Sequence, residues 1–233
     1  MRYIGIDVLR GLSVIGMVIF HAHYLLERVF LIDIYLFPDI FWTLLGMTVA
    51  TTFIVVSGFS LFLSESRWDL LSWKKSLKRS GILALIALSI SGVTYIFFPE
   101  QLILWGIIHF FALVSLISPL IRHIGRYTGC ISIGVILLWY SFPMYTSHIW
   151  FFIPFWWIPE GFYSADYYPL IPWVGYYLLG YSFASYVSLY GRLSLFDWKK
   201  SLFSRFFGYI GQNALFIYIL HVPLLYISYC IFT

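Results

Sequence analysis

Seven apolar stretches set the limits on what this chain can fold into: about residues 4–26, 40–64, 80–98, 103–121, 128–143, 169–189 and 209–231. A bilayer core about 30 Å thick is crossed by ~20 helical residues. Inside lipid every backbone polar group must find its partner within the segment or in a closed barrel, which makes a helix the natural form of such runs. The expected fold is therefore an all-α, polytopic transmembrane helix bundle with about seven spans. Composition leaves nothing over for a soluble domain: of 233 residues, 61% are hydrophobic and only 10% charged, against about a quarter charged in soluble domains. The whole chain, 1–233, is expected to be one transmembrane domain.

Charge gives the bundle a direction. The connection between the second and third runs holds Arg67, Lys74, Lys75, Lys78 and Arg79. The fourth connection holds Arg122 and Arg126, and the sixth holds Arg192, Lys199, Lys200 and Arg205. These are alternate loops, and Arg2 at the N-terminus agrees with them, so the positive-inside rule places the N-terminus in the cytoplasm and the C-terminus outside. The opposite loops carry Glu27, Asp33, Asp39, Glu100, Glu160 and Asp166, with Arg28 the basic exception.

The first run is not purely apolar. It carries Asp7, Arg10, His21 and His23, and ionisable groups at membrane depth cost roughly 2.5–3.5 kcal/mol each near the centre. Asp7 and Arg10 also interrupt the apolar core that a cleavable signal needs. Three residues apart on a helix, those two can pair. Arg10 and His21 are eleven positions apart, which puts them on one helix face, roughly 16 Å apart along the axis. His109 and His221 fall at similar, middle-to-outer depths on the fourth and seventh runs. Imidazole exchanges its proton near neutral pH, so a membrane-embedded histidine is a natural general base or proton relay; packing against a neighbouring helix is the plainer alternative for each.

Other polar groups keep two readings open. The basic cluster containing Lys75, Lys78 and Arg79 suits anionic lipid head groups and equally suits a phosphate-bearing cytosolic ligand. Gln212 and Asn213 are either a polar start to the last span or ligand-binding amides. Gly46, Ser57, Gly58 and Ser60 make the second run a small-residue surface that permits close helix approach. The aromatic stretch 145–169 is expected along the outer surface as a short interfacial helix and loop, its Trp and Tyr suited to the membrane interface. Cys130 and Cys230 stand alone, without metal or redox spacing. No metal or nucleic-acid partner is expected, and no glycine-rich phosphate loop supports nucleotide hydrolysis.

Several of these segments together resemble a known family. Asp7-Val-Leu-Arg10-Gly11 followed by His21 reproduces the Arg-x10-His pattern of membrane-bound acyltransferases. GIIHFFALVSLIS (106–118), YYPLIPWVGYYLLGY (167–181) and FGYIGQNALFIYILHVPLL (207–225) resemble prokaryotic members of the heparan-alpha-glucosaminide N-acetyltransferase-like family, within the wider transmembrane acyltransferases. The resemblance runs in order from about residue 3 to 226. It implies an enzyme of a prokaryotic plasma membrane that transfers an acetyl group from cytosolic acetyl-CoA to an amine or hydroxyl acceptor, such as an amino sugar or glycan, on the far side. By position it implies His21 as base with Arg10 as its basic partner. The lysosomal enzyme has an asparagine in place of His21 and a histidine in the loop before the second span, where this chain has Phe37, Pro38 and Asp39.

The candidate catalytic residues are thus His21, His109 and Asp39. Arg10, Asp7, Lys75, Lys78, Arg79, Gln212 and Asn213 are candidates for holding the acetyl donor, and His23, Trp173 and His221 for the acceptor. Direct transfer and an acetyl-histidine intermediate both remain open. Lipids are the expected surroundings, and a homodimer is one assembly open to such a small bundle. The alternative from another class is a small proton-coupled transporter, since intramembrane His, Asp and Arg suit proton relays as well; against it stands the lack of inverted-repeat symmetry.

Overall fold

The computed structural model describes residues 3–32, 36–65, 73–142, 153–155 and 160–232. Its helices are α1 (Ile4–Tyr24), α2 (Asp39–Glu65), α3 (Trp73–Phe97), α4 (Ile107–Ile124), α5 (Thr128–Ser141), α6 (Leu170–Leu189), α7 (Leu202–Gln212) and α8 (Ala214–Phe232). A wider turn, Leu25–Val29, prolongs α1. The described residues are all-helical apart from turns, loops and a single backbone bridge between Trp105 and Tyr167. Among the described residues, five helical stretches are long and apolar enough to cross a membrane: Ile4–Val29, Asp39–Ser64, Trp73–Phe97, Ile107–Ser141 and Ala214–Ile231.

Helix boundaries differ from the apolar runs at three informative places. α3 begins at Trp73, a full two turns before the expected start at 80, so Lys74, Lys75, Lys78 and Arg79 ride on its exposed first turns instead of in a loop. Small residues make this possible: Ser76 and Ser80 are buried, and the Ser76 and Ser118 hydroxyls bond across to α4 at 3.0 Å. α4 begins at Ile107, not 103, because the apolar segment before it is extended and paired. Ala165 N–H donates to the Leu102 carbonyl and Tyr168 N–H to that of Trp105. The last run starts earlier as a separate helix, α7, and breaks at Asn213 before α8. Of the expected interfacial stretch 145–169, residues 153–155 and 160–169 are turns and loop, and 145–152 and 156–159 lie outside the described residues, as do Arg2, Asp33 and Arg67, so the helix expected there is outside what the structure describes.

The described chain divides into two compact units, 1–57 with 186–233, and 58–185. In the first, α1 is flanked by α2, α7 and α8. Glycine sets the spacing: a side chain at Gly11 would run into the Phe207 carbonyl, and one at Gly211 into the Asp7 carbonyl, so α1 and α7 touch backbone to backbone. Ser204, Gly208 and Gly211 form the buried small face of α7, while Leu202, Phe203, Phe206 and Tyr209 point outward. Gly16 and Gly46 do the same between α1 and α2, against Val49 and the Phe20 ring. Such small-residue seams let membrane helices approach where the hydrophobic effect offers no drive between them.

In the second unit the same logic recurs. Gly58 is pressed against the Tyr177 carbonyl of α6, with Phe59 and Phe62 stacked edge-on to Phe183 and Tyr181. The Ser132 hydroxyl of α5, fully buried, donates to the Gly175 carbonyl at 2.9 Å. Phe110, Val114 and Pro119 of α4 are among its most buried side chains.

Candidate functional site

The contacts of the first unit climb α1 in step with α7 and α8. Arg10 meets Gly211, His21 meets His221, and Phe30 stacks on Tyr229 at a ring separation of 3.5 Å. The face of α1 that carries Arg10 and His21 is thus covered along its length by the last two helices. That arrangement sorts the polar residues into two separate levels.

At the lower level the charges close on themselves. Asp7 is buried, and its carboxylate accepts from the Arg10 guanidinium at 3.3 Å and from the Gln212 amide at 3.4 Å. Arg10 also donates to the Gly211 carbonyl at 3.5 Å. A buried charge is tolerated when paired and hydrogen-bonded, and here both conditions hold. Asn213 caps the end of α7, its side-chain amide donating to the Tyr209 carbonyl at 2.9 Å. Of the candidates for holding the donor, Asp7, Arg10, Gln212 and Asn213 therefore sit in the seam and break between α1, α7 and α8. Lys75, Lys78 and Arg79 are exposed at the start of α3, in the other unit.

At the upper level two imidazoles meet. His221, buried, has its Nε2 3.2 Å from His21 Nδ1, with ring centroids 4.9 Å apart. His21 Nδ1 also lies 2.9 Å from the Met17 carbonyl, and His221 Nδ1 lies 2.7 Å from that of Tyr218. A carbonyl oxygen only accepts, so each Nδ1 carries the hydrogen in the neutral ring. His221 then offers a bare Nε2 to the His21 N–H, a matched donor and acceptor. His21 Nε2 is left with its lone pair and no hydrogen-bond partner among the described residues. That nitrogen can take a proton.

His23 points elsewhere on α1. Its ring stacks on Trp42 of α2, centroids 3.9 Å apart and nearly parallel, and its Nε2 lies 3.4 Å from the Glu27 carboxylate. Both His23 Nδ1 and Trp42 Nε1 are buried without a hydrogen-bond partner among the described residues. Asp39 is exposed at the first turn of α2, where a carboxylate complements the helix dipole. Glu27 and Trp42 were absent from the sequence candidates; the i, i+4 spacing of His23 and Glu27 was the available signal, whereas Trp42 had none.

His109 lies in the second unit, at the start of α4. It is the third residue of α4, and its Nδ1 accepts the Gly106 N–H at 3.2 Å. Its Nε2 lies 3.3 Å from the Ser91 hydroxyl, which donates to the Ile103 carbonyl at 2.6 Å. Both ring nitrogens are thus spent on holding the start of α4 to α3. Asp166 completes the cap by accepting the Ile107 N–H at 3.0 Å. Beyond it burial pushes the Tyr167 phenol up to about 12, and burial with the nearby Asp166 charge pushes Tyr168 higher still. Trp173 of α6 packs against Tyr168 and Tyr176 in the same unit.

Among curated proteins and among solved structures, nothing matches the chain. A family model described as "Heparan-alpha-glucosaminide N-acetyltransferase, catalytic" matches residues 2–223, and so takes in both histidine-bearing helices of the first unit and nearly all of the 233 residues. The chain belongs to that family of transferase catalytic domains.

Proposed function

We propose that this protein is a seven-span membrane acetyltransferase in which His21 is the general base. Its N-terminus is cytoplasmic, its C-terminus outside, and its setting the plasma membrane of a prokaryote. The observation that carries the reading is the Nε2 of His21, which has no hydrogen-bond partner among the described residues and belongs to a ring held in a fixed tautomer by the Met17 carbonyl and His221, within a family of acetyltransferase catalytic domains.

Acetyl-CoA supplies, as substrate, an acetyl group on a thioester. The exposed cations Lys75, Lys78 and Arg79 suit its phosphates, as ammonium and guanidinium groups do. Arg10, neutralised by Asp7, is a poorer match and acts as a strut between helices. His21 Nε2 removes the proton of an acceptor amine or hydroxyl as its nitrogen or oxygen bonds to the acetyl carbon. The carbon–sulfur bond breaks, and the departing thiolate takes the proton from Nε2, which restores the base. A positioned general base of this kind contributes typically 10²–10⁴-fold to rate. The acceptor is an amino sugar or other glycan; His23, its Nδ1 without a partner among the described residues beside Trp42, suits a hydroxyl or ammonium group of such a molecule.

The test is acetyl transfer by the reconstituted protein from acetyl-CoA to a panel of amino sugars and glycans, with acetyl-CoA binding measured alongside. His21→Ala should abolish transfer and keep binding. Full activity in that variant would remove His21 from the mechanism, and absence of acetyl-CoA binding in the wild type would remove the acetyltransferase reading and favour a proton-coupled carrier.

A further inference from the structure

His221 is the most buried of the polar side chains on α8, and its surroundings offer it little besides His21. A cavity of about 310 Å³ lies against it, lined by Val18, Phe216, Ile217, Leu220 and Leu224 among others, all apolar. Its Nδ1 hydrogen is committed to the Tyr218 carbonyl at 2.7 Å. A bare imidazole nitrogen in apolar surroundings needs a donor, and the His21 Nδ1–H, 3.2 Å away, is the one that the described residues supply. Membrane helices do not place two imidazoles nose to nose for packing alone, since a leucine would fill that space without a polar group to satisfy.

We propose that His221 is the positioning residue for the base: its Nε2 accepts the His21 Nδ1–H, fixes the ring with Nε2 turned away, and shares the positive charge when His21 takes a proton. This rests on the assignment of His21 as base and adds to it the reason why that base works inside a membrane. An imidazolium formed at His21 has two N–H groups. The one on Nε2 goes on to the leaving thiolate. The one on Nδ1 stays between the Met17 carbonyl and His221 Nε2, so the charge forms against two acceptors already in place. No proton is gained or lost by the pair over the cycle. The arrangement does for His21 what a carboxylate does for the histidine of a Ser-His-Asp triad, with a neutral partner, which avoids keeping a permanent anion at membrane depth.

The test has two arms. In the first, the imidazoles of the full-length protein are labelled with ¹⁵N and the rings of His21 and His221 are assigned by difference against His21→Asn and His221→Asn. Both rings should show a protonated Nδ1 and a bare Nε2 at neutral pH. A His21 ring protonated at Nε2 would overturn the proposal whether or not any transfer is detected. In the second arm, transfer kinetics with acetyl-CoA are compared for His221→Gln and His221→Phe. Glutamine can accept the Nδ1–H through its carbonyl oxygen, so kcat should fall only about tenfold. Phenylalanine fills the apolar wall but accepts nothing, so kcat should fall about a hundredfold with KM for acetyl-CoA unchanged. If phenylalanine is tolerated as well as glutamine, His221 is a packing residue and the proposal fails. Should the wild type transfer no acetyl group, the base assignment fails instead, and the labelled rings still decide whether the two histidines are coupled.

Discussion

Gly11 and Gly211 lie against each other with only backbone between α1 and α7, each leaving no room for a β-carbon before the carbonyl of the facing helix. That seam sets the height at which everything above it meets. Ten residues beyond Gly11 is His21, and ten beyond Gly211 is His221. A shift of one helix along the other would part the two imidazoles.

Substitution at the seam should therefore act at a distance. Gly211→Ala puts a methyl group onto the Asp7 carbonyl, where neither backbone can yield cheaply. Overpacking of this kind costs about 1–3 kcal/mol. The thermal unfolding midpoint of the purified protein should fall, and acetyl transfer should fall with it although Gly211 lies ten residues before His221. An unchanged midpoint would show that the helices stand further apart than described.

The Asp7–Arg10 pair should behave as a structural lock. Arg10→Ala removes the guanidinium that bonds the buried Asp7 carboxylate, and losing one partner of such a pair costs up to about 3–5 kcal/mol. The double variant Asp7→Asn, Arg10→Ala should recover part of that loss, because the uncompensated charge is gone. A thermal-unfolding double-mutant cycle reads this directly. Equal, additive losses in the two single variants would mean that the groups do not depend on each other.

His109 separates a cap from a base. His109→Ala removes the acceptor for the Gly106 N–H, a loss on the order of 1 kcal/mol by analogy with other helix caps. The midpoint should drop by a few degrees while the folded fraction keeps its kcat within a few-fold. Ser91→Ala, which removes the partner of His109 on α3, should behave alike. Abolished transfer in a well-folded His109→Ala protein would restore this residue as a candidate base.

The first turns of α3 carry the charge test. Replacing Lys75, Lys78 and Arg79 together by alanine removes three exposed cations. KM for acetyl-CoA should rise about tenfold or more with kcat little changed, and the wild-type KM should rise with salt as screening sets in. If KM is indifferent to both, these residues serve only the lipid head groups.

How much of this was legible depended on the range of the interaction. The helical class followed from 61% hydrophobic residues, and the Asp7–Arg10 pair from a spacing of three on one helix, because both are local. The start of α4 was misread because Leu102 to Trp105 is as apolar as a helix, while its extended form depends on residues 165–168, some sixty positions away. The cap at His109 was out of reach for the same reason: a start at 103 puts the histidine six residues into the helix, whereas in the structure it is the third residue and its ring accepts the Gly106 N–H. Gln212 and Asn213 read equally as the opening of a span or as ligand-binding amides, and in the structure they stand at the break between α7 and α8.

The sequence by itself determined that this chain is built of apolar helices suited to a membrane, and that its first helix presents Arg10 and His21 on one face. Those are matters of composition and of a 3.6-residue period, and need no partner. Only the tertiary structure decided that Arg10 reaches Asp7 and the Gly211 carbonyl, that the His109 ring accepts the Gly106 N–H, and that among the described residues His21 has partners at one ring nitrogen alone. A side chain's protonation and its availability are set by what faces it, and what faces His21 comes from two hundred residues further along the chain.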